Sequence, residues 1–112
     1  MRRILLVLIV CLLFSNLTFG QTGVADGSIK GVIQDPTSAA IVGAQITARN
    51  TDTGFERATT SSAAGEFEVP LLPPGPYEVT VSSQGFAEYR QVGVTVQLAK
   101  ASTIAITMQL AG

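Results

Sequence analysis

The stretch Leu72-Pro73-Pro74-Gly75-Pro76-Tyr77-Glu78-Val79-Thr80-Val81-Ser82 decides the fold. From Tyr77 onward, apolar and polar residues alternate without a break. Tyr77, Val79 and Val81 take one side of an extended chain, and Glu78, Thr80 and Ser82 take the other. A period of two is the mark of a half-buried strand. The prolines before it exclude a helix and a central strand, because proline donates no backbone hydrogen bond. The stretch therefore reads as a stiff connection that delivers the chain into a strand with one face in a core.

The same grammar extends in both directions. Upstream, Ile29, Gly31 and Ile33 share a face against Lys30 and Gln34, and Asp35-Pro36-Thr37-Ser38 ends that strand. Ile41 to Asn50 follows, with Ala44, Ile46 and Ala48 in phase and Asn50-Thr51-Asp52-Thr53-Gly54 as a hairpin-like turn. Phe55 to Thr60 is Thr-rich and alternates poorly, as an edge strand would. Ser61 to Gly65 turns the chain, and Glu66-Phe67-Glu68-Val69 alternates again. Downstream of Gln84-Gly85, the segment Phe86 to Leu98 places Val92, Val94, Val96 and Leu98 in phase. After a turn at Ala99-Lys100-Ala101, Ile104, Ile106, Met108 and Leu110 alternate with Thr103, Ala105, Thr107 and Gln109. Seven short strands at these spacings predict an all-β, seven-stranded antiparallel Greek-key β-sandwich. Phe67, Tyr77, Val79, Val81, Ile104 and Ile106 are the expected centre of its core.

The first residues follow different rules. Met1-Arg2-Arg3 is basic, Ile4 to Phe14 is an apolar run of 11 residues, and Ser15 to Gly20 is polar and small. This is the pattern of a secretory signal peptide, helical in its apolar part, with the cut expected between Gly20 and Gln21. The run is well short of the roughly 20 residues a spanning helix needs. The expected organisation is a signal peptide over 1–20, a linker over 21–27 and the β-sandwich over 28–112. Cys11, the only cysteine of the 112-residue chain, falls in the apolar run. The remaining residues then hold no thiol, so the sandwich is stabilised by its core without disulfides.

Beyond Gly20 the chain carries five basic and eight acidic residues, a net charge of −3. No basic patch forms, which argues against nucleic acid as a partner. There is no histidine and no tryptophan in the chain. The commonest general base and the thiol nucleophile are thus missing, and no serine has a base at a recognisable spacing. Glu66 and Glu68 are the nearest carboxylate pair, but at this spacing on an exposed strand face they read as solvated charges. Asp52 with Thr51 and Thr53 offers too few oxygens for calcium and reads as a turn. The expectation is a non-enzymatic domain with no catalytic residue, no cofactor and no metal. Tyr89 shares parity with Gln91, Thr95 and Gln97, so it is expected to face solvent. It is the candidate ligand contact, of the kind that stacks on a sugar ring.

The order of these pieces also resembles a known family. Gly31-Val32-Ile33-Gln34-Asp35, Gly43-Ala44-Gln45-Ile46, Thr53-Gly54, Gly65-Glu66-Phe67, Leu72-Pro73-Pro74-Gly75-Pro76-Tyr77-Glu78-Val79 and Gly85-Phe86 resemble, in sequence order, the motifs of carboxypeptidase regulatory-like domains. Val42 departs from the pattern where a proline is common, and Ser62 where Asn or Asp usually starts the turn. The resemblance implies a transthyretin-like or carbohydrate-binding-like sandwich that accompanies other proteins without catalysing. It also implies a place directly behind the signal peptide of TonB-dependent outer-membrane receptors. Such a domain would act in the periplasm or outer membrane of a Gram-negative bacterium, or outside the cell. Its partners would be proteins of the cell envelope or a receptor barrel, and glycan is the alternative ligand. It would meet the membrane only through the signal peptide or a region beyond Gly112, where a plug and barrel would stand. A free-standing module, a carbohydrate-binding module and the accessory domain of a secreted peptidase are the other readings.

Overall fold

The computed structural model describes residues 26–112. The expected signal peptide, its cut at Gly20 and Gln21, Cys11 and all of the linker before Asp26 lie outside the described residues. Seven strands form in chain order: β1 (Gly27–Gln34), β2 (Gln45–Asn50), β3 (Glu56–Thr60), β4 (Glu66–Leu72), β5 (Gly75–Ser82), β6 (Tyr89–Val96) and β7 (Ala101–Thr107). They make a three-stranded sheet of order β4-β1-β7 and a four-stranded sheet of order β3-β2-β5-β6. Two sheets facing each other across one core are a β-sandwich, as the alternation predicts. Only β2–β3 and β5–β6 are joined as neighbours within a sheet; the other four connections cross between sheets. One pair departs from the antiparallel expectation. β7 runs parallel to β1, with Gly31 opposite Ile104 and Ile33 opposite Ile106. The chain crosses from β6 in the other sheet to enter β7, so no hairpin forces the antiparallel sense.

The core is the sum of the inward faces. Ile29 and Ile33 of β1, Ile46 and Ala48 of β2, Val69 and Leu72 of β4, Tyr77, Val79 and Val81 of β5, and Met108 are fully buried. Phe67 and Ile106 belong to the same cluster, whereas Ile104 is only half-buried against it. Ile104 sits on β7, which has a neighbour on one side alone. Gly31 makes room for this packing, since a Cβ there would collide with the Ile104 carbonyl and the Phe67 ring. Tyr77 is the largest of the fully buried side chains, and its hydroxyl donates to the Pro73 carbonyl at 2.6 Å.

Two bulges reset the alternation. On β6, Tyr77 faces Val94 but Val79 faces Gln91, so Val92 and Gly93 together oppose Glu78. Gly93 has φ of 73°, a left-handed conformation that glycine adopts at no steric cost and that marks a bulge of this kind. Before the bulge the odd residues Tyr89 and Gln91 turn toward the core; after it the even residues Val94 and Val96 do. Val92, expected inside with Val94, is 68% exposed. Tyr89, expected in solvent, packs half-buried against the core. On β4, Gly27 faces Leu72 and Ile29 faces Val69, so Pro70 and Leu71 oppose Ser28. Leu71 takes φ of 56° and is exposed, while Leu72 regains the core. Leu98 and Leu110, also expected in phase, are exposed because both lie past the ends of their strands.

Turns are held by side chains. Ser61, buried, donates its hydroxyl to the Ile41 carbonyl at 2.7 Å and accepts from the Ala44 amide at 2.9 Å. The Asp35 carboxylate accepts from the Thr37 hydroxyl at 2.7 Å, the Ala39 amide at 3.0 Å and the Thr37 amide at 2.8 Å. The Thr37 hydroxyl first, then the Ala39 amide, holds the Asp35 carboxyl below its ordinary value of 3.8; the slight loss of hydration works the other way.

Three outcomes follow from this packing. Val94→Asp is expected to cost about 3 kcal/mol or more in urea melts, because it buries an unpaired charge, and Val92→Asp less than about 1 kcal/mol. The reverse order would mean that β6 has no phase change at Gly93. Tyr77→Phe is expected to cost about 1 kcal/mol, the net worth of one hydrogen bond, with the core otherwise kept. For Asp35, the folded pKa lies below the unfolded one. Its contribution is therefore complete above the unfolded pKa and is lost as pH falls through the lower folded value. Carboxyl-carbon NMR should place its midpoint below 3.8, and Thr37→Ala should move that midpoint upward.

Candidate functional site

The outer face of the three-stranded sheet carries an open concavity. Outward positions of β1 contribute Lys30 and Val32, those of β4 contribute Glu66 and Glu68, and β7 contributes Thr103. Thr60 and Ser62, at and just past the end of β3, raise one rim where β3 meets β4. Together with the Gly31 backbone and the edge of Phe67 they enclose an open trough of about 540 Å³. A second, smaller trough of about 340 Å³ shares Lys30 and Glu68 with the first and continues toward Asp26 and Lys100. The register places Lys30 directly across from Glu68, and their charged ends lie 4.0 Å apart, both half in solvent. A pair so exposed contributes little to stability and is free to exchange partners.

The free chemistry of the trough follows from what is already spent. The Ser62 hydroxyl accepts the Glu66 amide at 3.2 Å as part of the turn into β4. The Glu66 carboxylate has no ion-pair partner among the described residues. Thr60 and Thr103 hold hydroxyls on opposite sides of the trough. The arrangement can donate and accept hydrogen bonds to a polar ligand and can present one cation and two anions. Glu66 and Glu68 sit on the solvent face, as their spacing predicts, and neither is buried. Asp52 is part of a turn rather than a cation cage. Asn50, 2% exposed, accepts from the amides of Asp52 and Thr53 at 2.9 and 3.0 Å and organises the loop. Among the described residues no three of His, Cys, Asp and Glu come together.

Tyr89 does not line either trough. Its ring faces Val81 across the β5–β6 pair, and its hydroxyl donates to Gln91 Oε1 at 2.8 Å. Two residues escaped the sequence reading. Asn50 looked like an ordinary turn residue, yet Gly75 approaches it so closely that a Cβ there would meet the Asn50 amide nitrogen. Arg57 pairs with the buried Ala48, so it points inward from the edge of its sheet. Its guanidinium lies 5.5 Å from the Phe55 ring centre, and its Nε is buried without an acceptor. Poor alternation in β3 was the one available signal that a charge could face inward there.

Comparisons with known proteins extend the picture. No curated protein matches the chain. Among solved structures, the chain is similar to a candidate carbohydrate-binding protein from Bacteroides uniformis, at 19% identity and TM-score 0.60 over 75% of this chain and 41% of that one. It is also similar to the minor pilin of Streptococcus agalactiae, at 12% identity and TM-score 0.62 over 79% and 46%. A third likeness is to hydroxyquinol 1,2-dioxygenase from Pseudomonas putida, at 8% identity and TM-score 0.61 over 80% and 58%. At such identities these likenesses establish the fold alone. In each case the chain spans less than two thirds of the other protein. The sequence itself is more specific: the model of the carboxypeptidase regulatory-like domain matches residues 28–109, from the start of β1 to just beyond β7, and the chain belongs to that family.

Proposed function

We propose that this chain is a non-catalytic accessory domain of an exported envelope protein. It acts through surface contact, in the arrangement of the N-terminal extension of a TonB-dependent outer-membrane receptor. The observation that carries the proposal is the order along the chain. A basic start and an 11-residue apolar run precede a carboxypeptidase regulatory-like sandwich that begins at Gly27. That order suits export followed by folding in the periplasm, with envelope proteins or a receptor barrel as partners. The lack of catalysis is supported by the site chemistry. The carboxylates of the trough lie open to water, and among the described residues no nucleophile is held against them.

A glycan-binding reading has one observation of its own. The trough falls within the volume range of ligand sites, roughly 300–1,000 Å³, and its hydroxyls and charges suit sugar hydroxyls. The likeness to the Bacteroides uniformis protein points the same way.

Expression of the full chain in a Gram-negative host should release a periplasmic product whose mass places the N-terminus at Gln21. Full-length protein retained in the inner membrane would defeat the export reading. Residues 21–112 should turn over no peptide, ester or glycoside. Activity that disappears on Glu66→Gln or Glu68→Gln would defeat the accessory reading. A glycan array separates the second reading, since sugar retention lost in Glu66→Ala would favour it over a protein partner.

A further inference from the structure

We infer that the sandwich is a load-bearing link, in which the β1–β7 ladder resists in shear a tension applied between the two ends of the domain. The geometry begins with direction. β1 is the first strand and β7 the last, and they run parallel from Ser28 beside Ala101 to Gln34 beside Thr107. The chain enters this ladder at one end. There the Ala99 amide donates to the Asp26 carbonyl and the Ser28 amide to the Lys100 carbonyl, both at 3.0 Å. It leaves at the other end, where the Met108 amide donates to the Gln34 carbonyl at 2.9 Å. A pull on the incoming and outgoing chain therefore draws β1 and β7 past each other along their length. The bonds of a parallel pair are evenly spaced, so they share that load and yield together. Were the two terminal strands antiparallel, both chain ends would leave from one end of the ladder, and its bonds would open one at a time.

The side chains add a register lock. The inward face of β1 alternates small and large residues: Gly27, Ile29, Gly31, Ile33. Both glycines occupy niches with no room for a Cβ. At Gly27 it would collide with the Gln97 carbonyl and the Val96 side chain, and at Gly31 with the Ile104 carbonyl and the Phe67 ring. Tension draws β1 toward its own N-terminus. A slip of one residue would exchange the buried and outward faces. A slip of two would drive Ile29 into the Gly27 niche and Ile33 into the Gly31 niche. Both isoleucines are fully buried, so neither can swing aside. Even a slip of four, about 13 Å by the rise of a strand, would offer Asp35 to the Gly31 niche. No short slip relieves the load.

The other partner of the ladder is braced as well. The Ser102 hydroxyl on β7 donates to the Thr95 carbonyl on β6 at 2.6 Å. Past the strand, the Ala87 amide donates to the Gln109 carbonyl at 2.8 Å and the Ala111 amide to the Gly85 carbonyl at 3.0 Å. These bonds tie the outgoing chain to the connection between β5 and β6. Load on β7 thus passes into the second sheet rather than stripping the strand from its edge. The inference stands independently of the envelope reading above.

Residues 21–112 contain all seven strands and every buried core residue, and they hold no cysteine. Single-molecule force spectroscopy on that chain compares two attachments. One pulls the N-terminus against Gly112 and loads the ladder in shear. The other pulls the N-terminus against the thiol of Lys100→Cys, an exposed position at the entry end, and peels the ladder open. At one pulling rate, shear should need severalfold more force than peeling, although both unfold the same fold. Ile33→Ala should lower the shear force by a larger factor than Val79→Ala, a fully buried truncation on β5 outside the ladder. Urea melts of the two truncations separate lost stability from lost resistance to force. Equal forces in the two attachments, or a shear force that follows equilibrium stability alone across the truncations, would overturn the assignment.

Discussion

The structure depends on the clamp between Tyr77 and Pro73. The chain leaves one sheet at Leu72 and enters the other at Gly75, with only two residues between. Three steps of chain reach at most about 10–11 Å, and packed sheets stand about 10 Å apart. The connection therefore has to be almost fully extended. Pro73 and Pro74 favour that state because their rings fix φ, and Gly75 takes φ of 146° to redirect the chain into β5. The buried Tyr77 hydroxyl then ties the Pro73 carbonyl to the strand that follows. One side chain fills the core between Asn50 and Val94 and fixes the angle at which the chain changes layer.

This explains why the architecture was legible in the sequence while its details were not. Alternation and turn residues are local, and they located seven strands and most of the core. Bulges are local too, but their consequence is not, because one inserted residue exchanges the faces of everything beyond it. The β6 segment reads as one continuous phase from Val92 to Leu98 unless Gly93 is taken as a break. With the break, Tyr89 moves from solvent to the core and Val92 moves out. The direction of β7 is less accessible still. Its parallel run beside β1 follows from the chain's route between layers, which no short window of sequence contains.

The candidate site was less legible for a related reason. Lys30, Glu66, Glu68, Thr60 and Thr103 come from four strands, and only the β1–β4 register and the approach of β3 to β4 bring them onto one trough. Individually each looks like a surface polar residue on an exposed strand face. Glu66 and Glu68 were visible as a pair because they share a strand. Arg57 was invisible as an inward cation because edge strands relax the rule that inward means apolar. Asn50 was invisible because a buried amide that organises a turn has the same sequence signature as an exposed one.

A small sandwich of this kind divides its surface by what each part must resist. The core faces resist water, and the central strands are paired along both edges by neighbours. The edges must resist other strands. On β3, β4 and β6 that resistance coincides with the irregularities, since the inward Arg57, the Leu71 bulge and the Gly93 bulge all lie on edges. Bulges cost ladder hydrogen bonds, so their confinement to edges leaves β1, β2 and β5 to bear the continuous pairing. β7 is the one edge built like a central strand. Its flank is guarded by other means: the Ser102 hydroxyl donates to the Thr95 carbonyl of β6 at 2.6 Å, and just past the strand Phe86 bridges Leu110.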